Sequence, residues 1–215
     1  MGSNPTLSAL EARSAARPGA VFVVLFVAAF VVAVGELVGT FADPDLVFAE
    51  RFEDGGTRAR DIAGSYLLAL AGIAFAWFAS AVGRDAAAVR LPLLLSGSAV
   101  AGGMLLAAVA WATVPLSRAF GALVDDPGLR EGQAVLPQFG WVALAMGAML
   151  PAAVFIVLVA RTPGLVPGWL SVASYPAAAL VAVTALLFFL SLVVFLAWVV
   201  AVAATHVSRI TTTNP

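Results

Sequence analysis

The chain has 215 residues, of which 62% are hydrophobic and 11% are charged, and its formal net charge at pH 7 is −1. Soluble domains carry about 25% charged residues, so this composition argues against a soluble globular protein. Nucleic-acid binding needs a concentrated basic surface, which a chain of this charge does not provide. The chain has no cysteine, which excludes disulfides, thiolate metal ligands and a cysteine nucleophile.

The composition also indicates a compartment. A mean hydropathy of +1.04 is typical of an integral membrane protein. All 11 residues of the Lys and Arg group are arginine, a bias that indicates a GC-rich genome. We therefore expect a multi-pass protein of a bacterial plasma membrane.

Six stretches are long and apolar enough to cross a bilayer, which takes about 20 residues of helix. They cover residues 19–41, 62–82, 91–115, 137–160, 168–186 and 189–206. From Ser171 to Val207 the last two form one run without charge or glycine, and as a single helix of about 36 residues this run would be about 54 Å long. We therefore predict a helical hairpin near Leu187 to Ser191. The expected fold class is all-α, a transmembrane helix bundle with six crossings, with five as the alternative.

The distribution of charge orients this bundle. The short connections and the tails carry six arginines, whereas two longer loops, residues 42–61 and 116–136, carry five arginines and most of the acidic residues. Because short cytoplasmic loops are enriched in basic residues, we place both termini in the cytoplasm. The predicted organisation is a cytoplasmic tail over 1–18, the bundle over 19–206 and a second cytoplasmic tail over 207–215.

Tryptophan positions and small residues add two expectations about packing. Trp77 and Trp169 are predicted at the cytoplasmic interface and Trp111 and Trp141 at the outer one, whereas Trp198 lies deeper than an interfacial residue should. Small residues allow membrane helices to approach closely, so two stripes of them are predicted to face each other. The stripes are Ser65, Ala69, Gly72, Ala76, Ala79 and Gly83 in the second segment, and Ser96, Ala99, Gly103, Ala107 and Ala110 in the third.

Glu36 is the only acidic residue well inside a predicted span. An acidic side chain at mid-membrane costs about 2.5–3.5 kcal/mol on insertion scales, and Glu36 shares a helical face with Ala29 and Ala33, so we expect it to face other helices. One interpretation is a proton or cation site, or a general acid. The other is structural: a protonated or hydrated carboxyl that bonds to Ser65, Tyr66 or an arginine of the first loop.

Asp61 opens the second predicted span, where it is expected to cap the helix. Its position near the outer end also brings it toward Glu36, and two adjacent carboxyls are suited to acid catalysis or to holding a cation. Glu36 and Asp61 are therefore the candidate catalytic residues.

Other polar residues predict no cofactor or metal site. Asp43, Asp45, Asp125 and Asp126 lack the ligand spacing of a calcium loop, and His206, the only histidine, lacks partner ligands. The sequence contains no G-x-S-x-G, H-E-x-x-H, Walker or G-x-G-x-x-G motif. The expected partners are membrane lipids and, through helix faces, another protein or a second copy of the chain.

The chain resembles a group of multi-pass membrane proteins of unknown activity common in actinobacteria. The resemblance rests on the proline-containing stretch from Pro163 to Leu170, on Leu187-Phe188-Phe189 before the last span, and on Arg84 between the second and third spans. It implies a multi-pass membrane protein and brings no activity or site residue with it.

Three functions remain open from the sequence. The first is a non-enzymatic scaffold or accessory bundle, which the packing stripes favour. The second is an intramembrane enzyme that acts on an isoprenoid or lipid, with Glu36 as the acid and Asp61 assisting. The third is proton-coupled transport of a small molecule through Glu36, which also requires an aqueous path.

Overall fold

The computed structural model describes residues 5–37, 54–84, 86–120, 127–185 and 189–212. Within these residues the chain is all-α, as predicted, and forms six helices. The helices are α1 (Pro5–Leu37), α2 (Gly55–Arg84), α3 (Arg90–Ala119, after a 3₁₀ turn at Ala87–Val89), α4, α5 (Gly168–Val183) and α6 (Phe189–Thr212). Helix α4 comprises Pro127–Val142, a π-helical stretch Ala143–Met149 and Leu150–Arg161.

Five of the six helices are long and apolar enough to cross a membrane. The exception is α5, whose 16 residues extend about 24 Å and are shorter than the hydrocarbon core. The five long spans make the protein a multi-pass membrane bundle, and α5 corresponds to the predicted fifth segment.

The predicted break in the long apolar run is confirmed, a few residues before the expected position. Helix α5 ends at Val183, and the next residue, Thr184, closes its last turn. Both the backbone N–H and the hydroxyl of Thr184 donate to the carbonyl of Leu180, at 2.9 and 2.6 Å. The helix thus ends at a position where the sequence offers no glycine or asparagine.

The helices form a closed ring. Each helix packs against its neighbours in sequence, and α6 returns to pack against α1. The space among α1, α2, α4 and α6 is filled by six phenylalanine side chains, which we call the phenylalanine cluster. Its members are Phe22, Phe26, Phe75, Phe78, Phe155 and Phe195, and none is more than 1% exposed.

Phe75 lies at the centre of the phenylalanine cluster. Its ring centroid is 5.1 Å from that of Phe22, 5.4 Å from Phe195 and 5.5 Å from Phe155. These are the tilted and edge-on arrangements that aromatic rings prefer. The cluster therefore joins four helices through direct ring contacts.

The predicted contact between α2 and α3 is present, but one of its residues faces elsewhere. A Cβ added at Gly72 would lie 3.1 Å from the carbonyl oxygen of Ala101, and Gly97 is packed against Ala79. Gly103, however, contacts the backbone of Gly147 in α4, and Ala99 is exposed. The expectation that the whole stripe of the third segment faces α2 is therefore wrong. Helix α3 is packed between α2 and α4 and contacts each of them through different small residues.

The contact at Gly103 coincides with the irregular part of α4. A Cβ on Gly103 would lie 2.6 Å from the carbonyl oxygen of Gly147, which belongs to the π-helical stretch. Pro151 lies four residues beyond Gly147 and has no amide hydrogen to donate to that carbonyl in α-helical geometry. The irregular stretch therefore lies just before Pro151, where the backbones of α3 and α4 are in contact.

Three tryptophans differ in their exposure. Trp77 and Trp169 are 56% and 65% exposed, whereas Trp198 is only 4% exposed. The indole N–H of Trp198 donates to the hydroxyl of Ser174, which donates to the carbonyl of Leu170. The depth of Trp198 is thus explained by a hydrogen bond between α6 and α5.

Two adjacent glycines of α3 provide a matched test of this packing. We expect Gly103→Ala to destabilise the bundle by about 1–3 kcal/mol, because its methyl group would overlap the α4 backbone. Gly102→Ala should change stability by less than about 0.5 kcal/mol, because nothing lies within 4 Å of the added carbon. SDS-induced unfolding in mixed micelles measures both variants. Equal effects would contradict the close approach of α3 and α4.

Candidate functional site

The inner face of α1 leads directly to the position of Glu36. Its inward residues are spaced alternately three and four apart, which is the repeat of one helical face. They are Gly19, Phe22, Phe26, Ala29 and Ala33, all buried. The next position in this rhythm is 36, in the last turn of α1. The backbone register therefore supports the predicted inward face, while the side chain of Glu36 lies outside the described residues.

Contacts between α1 and α2 define how the two helices align. Gly19 approaches the ring of Phe78, and a Cβ on Gly64 would lie 2.5 Å from that of Ala33. From Gly19 to Ala33 the chain advances 14 residues along α1, and the residues they contact in α2, Phe78 and Gly64, lie 14 residues apart in the reverse order. The two helices are therefore antiparallel. Three residues beyond Ala33 is Glu36, and three residues before Gly64 is Asp61. The two acidic positions are therefore at the same level of the bundle.

Asp61 lies within α2 rather than at its start. The helix begins at Gly55, so Asp61 is nearly two turns inside it, and the prediction that Asp61 caps the helix is wrong. The side chain of Asp61 is half-buried, and its backbone carbonyl accepts a hydrogen bond of 2.8 Å from the hydroxyl of Ser65. Helix α2 therefore begins in the polar residues 55–61, before the apolar segment from which the span was predicted.

The two hydroxyl partners suggested for Glu36 differ in position. Ser65 is 3% exposed, and its only proton is donated to the carbonyl of Asp61. In this rotamer Ser65 could serve Glu36 only by accepting a proton from a neutral carboxyl. Tyr66 is 62% exposed and lies on the outer side of α2. Of the two, only Ser65 lies on the buried side of the bundle.

The residue that caps α2 is Asp54. Its carboxylate oxygen Oδ2 accepts hydrogen bonds from the backbone N–H of Thr57 at 2.7 Å and from the Thr57 hydroxyl at 2.9 Å. The backbone N–H of Thr57, followed by its hydroxyl and the N–H of Gly56, holds the pKa of Asp54 below the ordinary value of 3.8. The signal in the sequence was Asp three residues before Thr, with two glycines between them.

Removing this cap should loosen the first turn of α2. Because the folded state lowers the pKa of Asp54, its stabilisation is present above pH 3.8 and is lost as the pH falls through the folded-state value. In Asp54→Ala we expect faster hydrogen exchange at the Thr57 amide at neutral pH. Asp54→Asn, which keeps an acceptor without the charge, should give an intermediate rate with no acid-dependent step beyond the intrinsic pH dependence. Unchanged protection in Asp54→Ala would contradict the assignment.

Of the remaining polar candidates, the structure describes only His206. Asp43, Asp45, Asp125 and Asp126 lie outside the described residues. Among the residues that the structure does describe, no group of three or more His, Asp or Glu side chains could hold a metal ion. His206 is 4% exposed, and its Nδ1 lies 2.9 Å from the carbonyl oxygen of Val202, to which it must donate.

The sequence reasoning missed one polar contact between α3 and α4. The indole N–H of Trp111 donates to the carbonyl of Pro137 at 3.0 Å, and its ring lies edge-on to that of Trp141. Gly140 is packed directly against the Trp111 indole, so any side chain there would displace it. The indole neighbour of Gly140 cannot be predicted from the sequence of one helix alone.

Comparison of the chain with known protein families, with characterised proteins and with solved structures finds no match. The class of the protein is therefore defined by its composition and fold: a multi-pass, all-α membrane bundle with five long apolar spans.

Proposed function

We propose that the protein is a scaffold or accessory bundle of the bacterial plasma membrane that acts through its outer faces. The observation that carries this proposal is the phenylalanine cluster. A carrier needs a path between its helices, and an enzyme for a lipid needs a pocket beside its acid. The region bounded by α1, α2, α4 and α6 is filled by buried phenyl rings in contact with one another, which leaves little room there for such a path or pocket. The resemblance to actinobacterial multi-pass proteins is compatible with this role.

The buried polar groups support the same interpretation. The hydroxyls of Ser96, Ser174 and Thr205 donate to carbonyls of their own helices. Such bonds satisfy a hydroxyl locally and leave no proton for a substrate. In the part of the chain that the structure describes, every fully buried side-chain nitrogen or oxygen has a hydrogen-bond partner. These groups therefore stabilise helices and do not form a polar lining.

The absence of cysteine from the chain allows a direct test of the interior. Ala71 and Ala152 are fully buried one turn from Phe75 and Phe155, whereas Ala88 is exposed between α2 and α3. In single-cysteine variants, a charged water-soluble thiol reagent should label positions 71 and 152 at least about 100-fold more slowly than position 88, because labelling requires local opening. Labelling of position 71 or 152 at a rate near that of position 88 would indicate an aqueous path and contradict the scaffold.

A second candidate function is supported by the alignment of Glu36 with Asp61. Two carboxyls at one level near the end of an apolar bundle could share a proton, because two negative charges in close proximity repel each other. This pair would be the acid of an enzyme for an isoprenoid or lipid, or the proton site of a transporter. The half-burial of Asp61 and the inward register of position 36 favour this candidate.

A single substitution separates the two candidates. In a strain that lacks the gene, we expect Glu36→Gln to restore the wild-type phenotype under the scaffold proposal, because the amide keeps hydrogen-bonding capacity but carries no titratable proton. Asp61→Asn should behave in the same way, and immunoblotting of membranes checks that each variant accumulates. If Glu36→Gln accumulates normally but does not restore the phenotype, the carboxyl carries out chemistry and the scaffold proposal is wrong.

A further inference from the structure

One end of the bundle carries four exposed arginines. They are Arg17 in α1, Arg84 at the end of α2, Arg90 at the start of α3 and Arg161 at the end of α4. Because consecutive helices run in opposite directions, these four positions lie at the same end. Among the described residues, the acidic residue at this end is Glu11 of α1, nearly two turns before Arg17. Asp85 belongs to this end in the sequence but lies outside the described residues.

Two of these arginines are close neighbours at the connection between α2 and α3. A Cβ built on Gly83 would lie 3.8 Å from Cγ of Arg90, so the aliphatic stem of Arg90 rests against the end of α2. Arg84 is the residue that follows Gly83. Arg84 and Arg90 therefore flank one short turn, and an anion that contacts both guanidinium groups would relieve their repulsion.

An exposed apolar stripe on α2 leads to Arg84. Tyr66, Leu70, Ile73 and Trp77 are spaced three and four residues apart, and each is at least 48% exposed. Arg84 lies seven residues beyond Trp77 on the same face, about 10 Å further along the helix axis. The face therefore presents apolar surface, then an indole, then a guanidinium, which is the order of acyl chain, interface and headgroup in a lipid leaflet.

We infer that Arg84 and Arg90 form a binding site for the phosphate of an anionic phospholipid whose acyl chain lies along the Tyr66 to Trp77 stripe of α2. Guanidinium groups bind phosphate oxygens through paired, charge-assisted hydrogen bonds, which a lipid without net negative charge satisfies less well. The exposed apolar stripe is the reason for a lipid rather than a soluble phosphate. The site is separate from Glu36 and Asp61, which lie at the opposite end of α2.

Native mass spectrometry of the delipidated protein tests this site. Phosphatidylglycerol and phosphatidylcholine with the same acyl chains are titrated, and we expect wild-type protein to bind the first phosphatidylglycerol about tenfold more tightly. The double variant Arg84→Gln/Arg90→Gln should lose this preference. The matched control, Arg17→Gln/Arg161→Gln, removes the same charge from the same end and should retain it. Should the first double variant fail to fold, the single variants Arg84→Gln and Arg90→Gln should each reduce the preference.

Three results would overturn the inference. The preference could persist in Arg84→Gln/Arg90→Gln, which would remove these residues from the site. Both double variants could lose it equally, which would mean that only the overall charge of this end attracts lipid. Finally, millimolar glycerol phosphate could displace the bound phosphatidylglycerol, which would show that a free phosphate suffices and that the α2 stripe adds nothing.

Discussion

In a bilayer the lipid tails are as apolar as leucine, so burying apolar side chains gives helices little advantage over contact with lipid. What distinguishes contact between these helices is how closely their backbones approach. Gly64 against Ala33, Gly97 against Ala79 and Gly103 against the Gly147 backbone are contacts into which no further carbon fits without a shift. Dispersion attraction falls steeply with distance, so these crossings set the separation of the helices. The order of the ring, and the depth at which each residue lies, follow from them.

Close approach at the glycines leaves larger side chains to fill the space on either side. The phenylalanine cluster lies where α1, α2, α4 and α6 meet, and Gly19 of α1 leaves room for the Phe78 ring of α2. Polar side chains then act at fixed points: Trp111 joins α3 to α4 and Trp198 joins α6 to α5. Each of these bonds satisfies an indole N–H that would be costly to bury alone. Glycines, rings and indoles thus form one connected arrangement.

Much of this fold could be predicted from the sequence because a membrane-spanning helix must have a certain length and an apolar composition. The length of the apolar runs predicted the helices, and the excess length of the last run predicted the break that follows Val183. The start of α2 was not predicted, because residues 55–60 are polar and only the Asp54 cap shows that they are helical. The partner of Gly103 was not predicted either, since a stripe of small residues identifies a contact face but not the neighbour that it meets.

The candidate site was likewise predicted in part: the sequence of one helix predicted a face, but not the residues that this face meets. The periodicity of α1 predicted that Glu36 lies on an inner face, and the buried residues at Ala29 and Ala33 follow that face. The alignment with Asp61 required two contacts between helices, Gly19 with Phe78 and Gly64 with Ala33, which no single segment contains. Asp61 thus lies near one end of α2, beside Arg58 and Arg60, and Arg84 lies at the other end, with the phenylalanine cluster between them. A bundle with a filled interior and two chemically different ends is suited to holding a fixed orientation in the membrane, and this is the property that a scaffold requires.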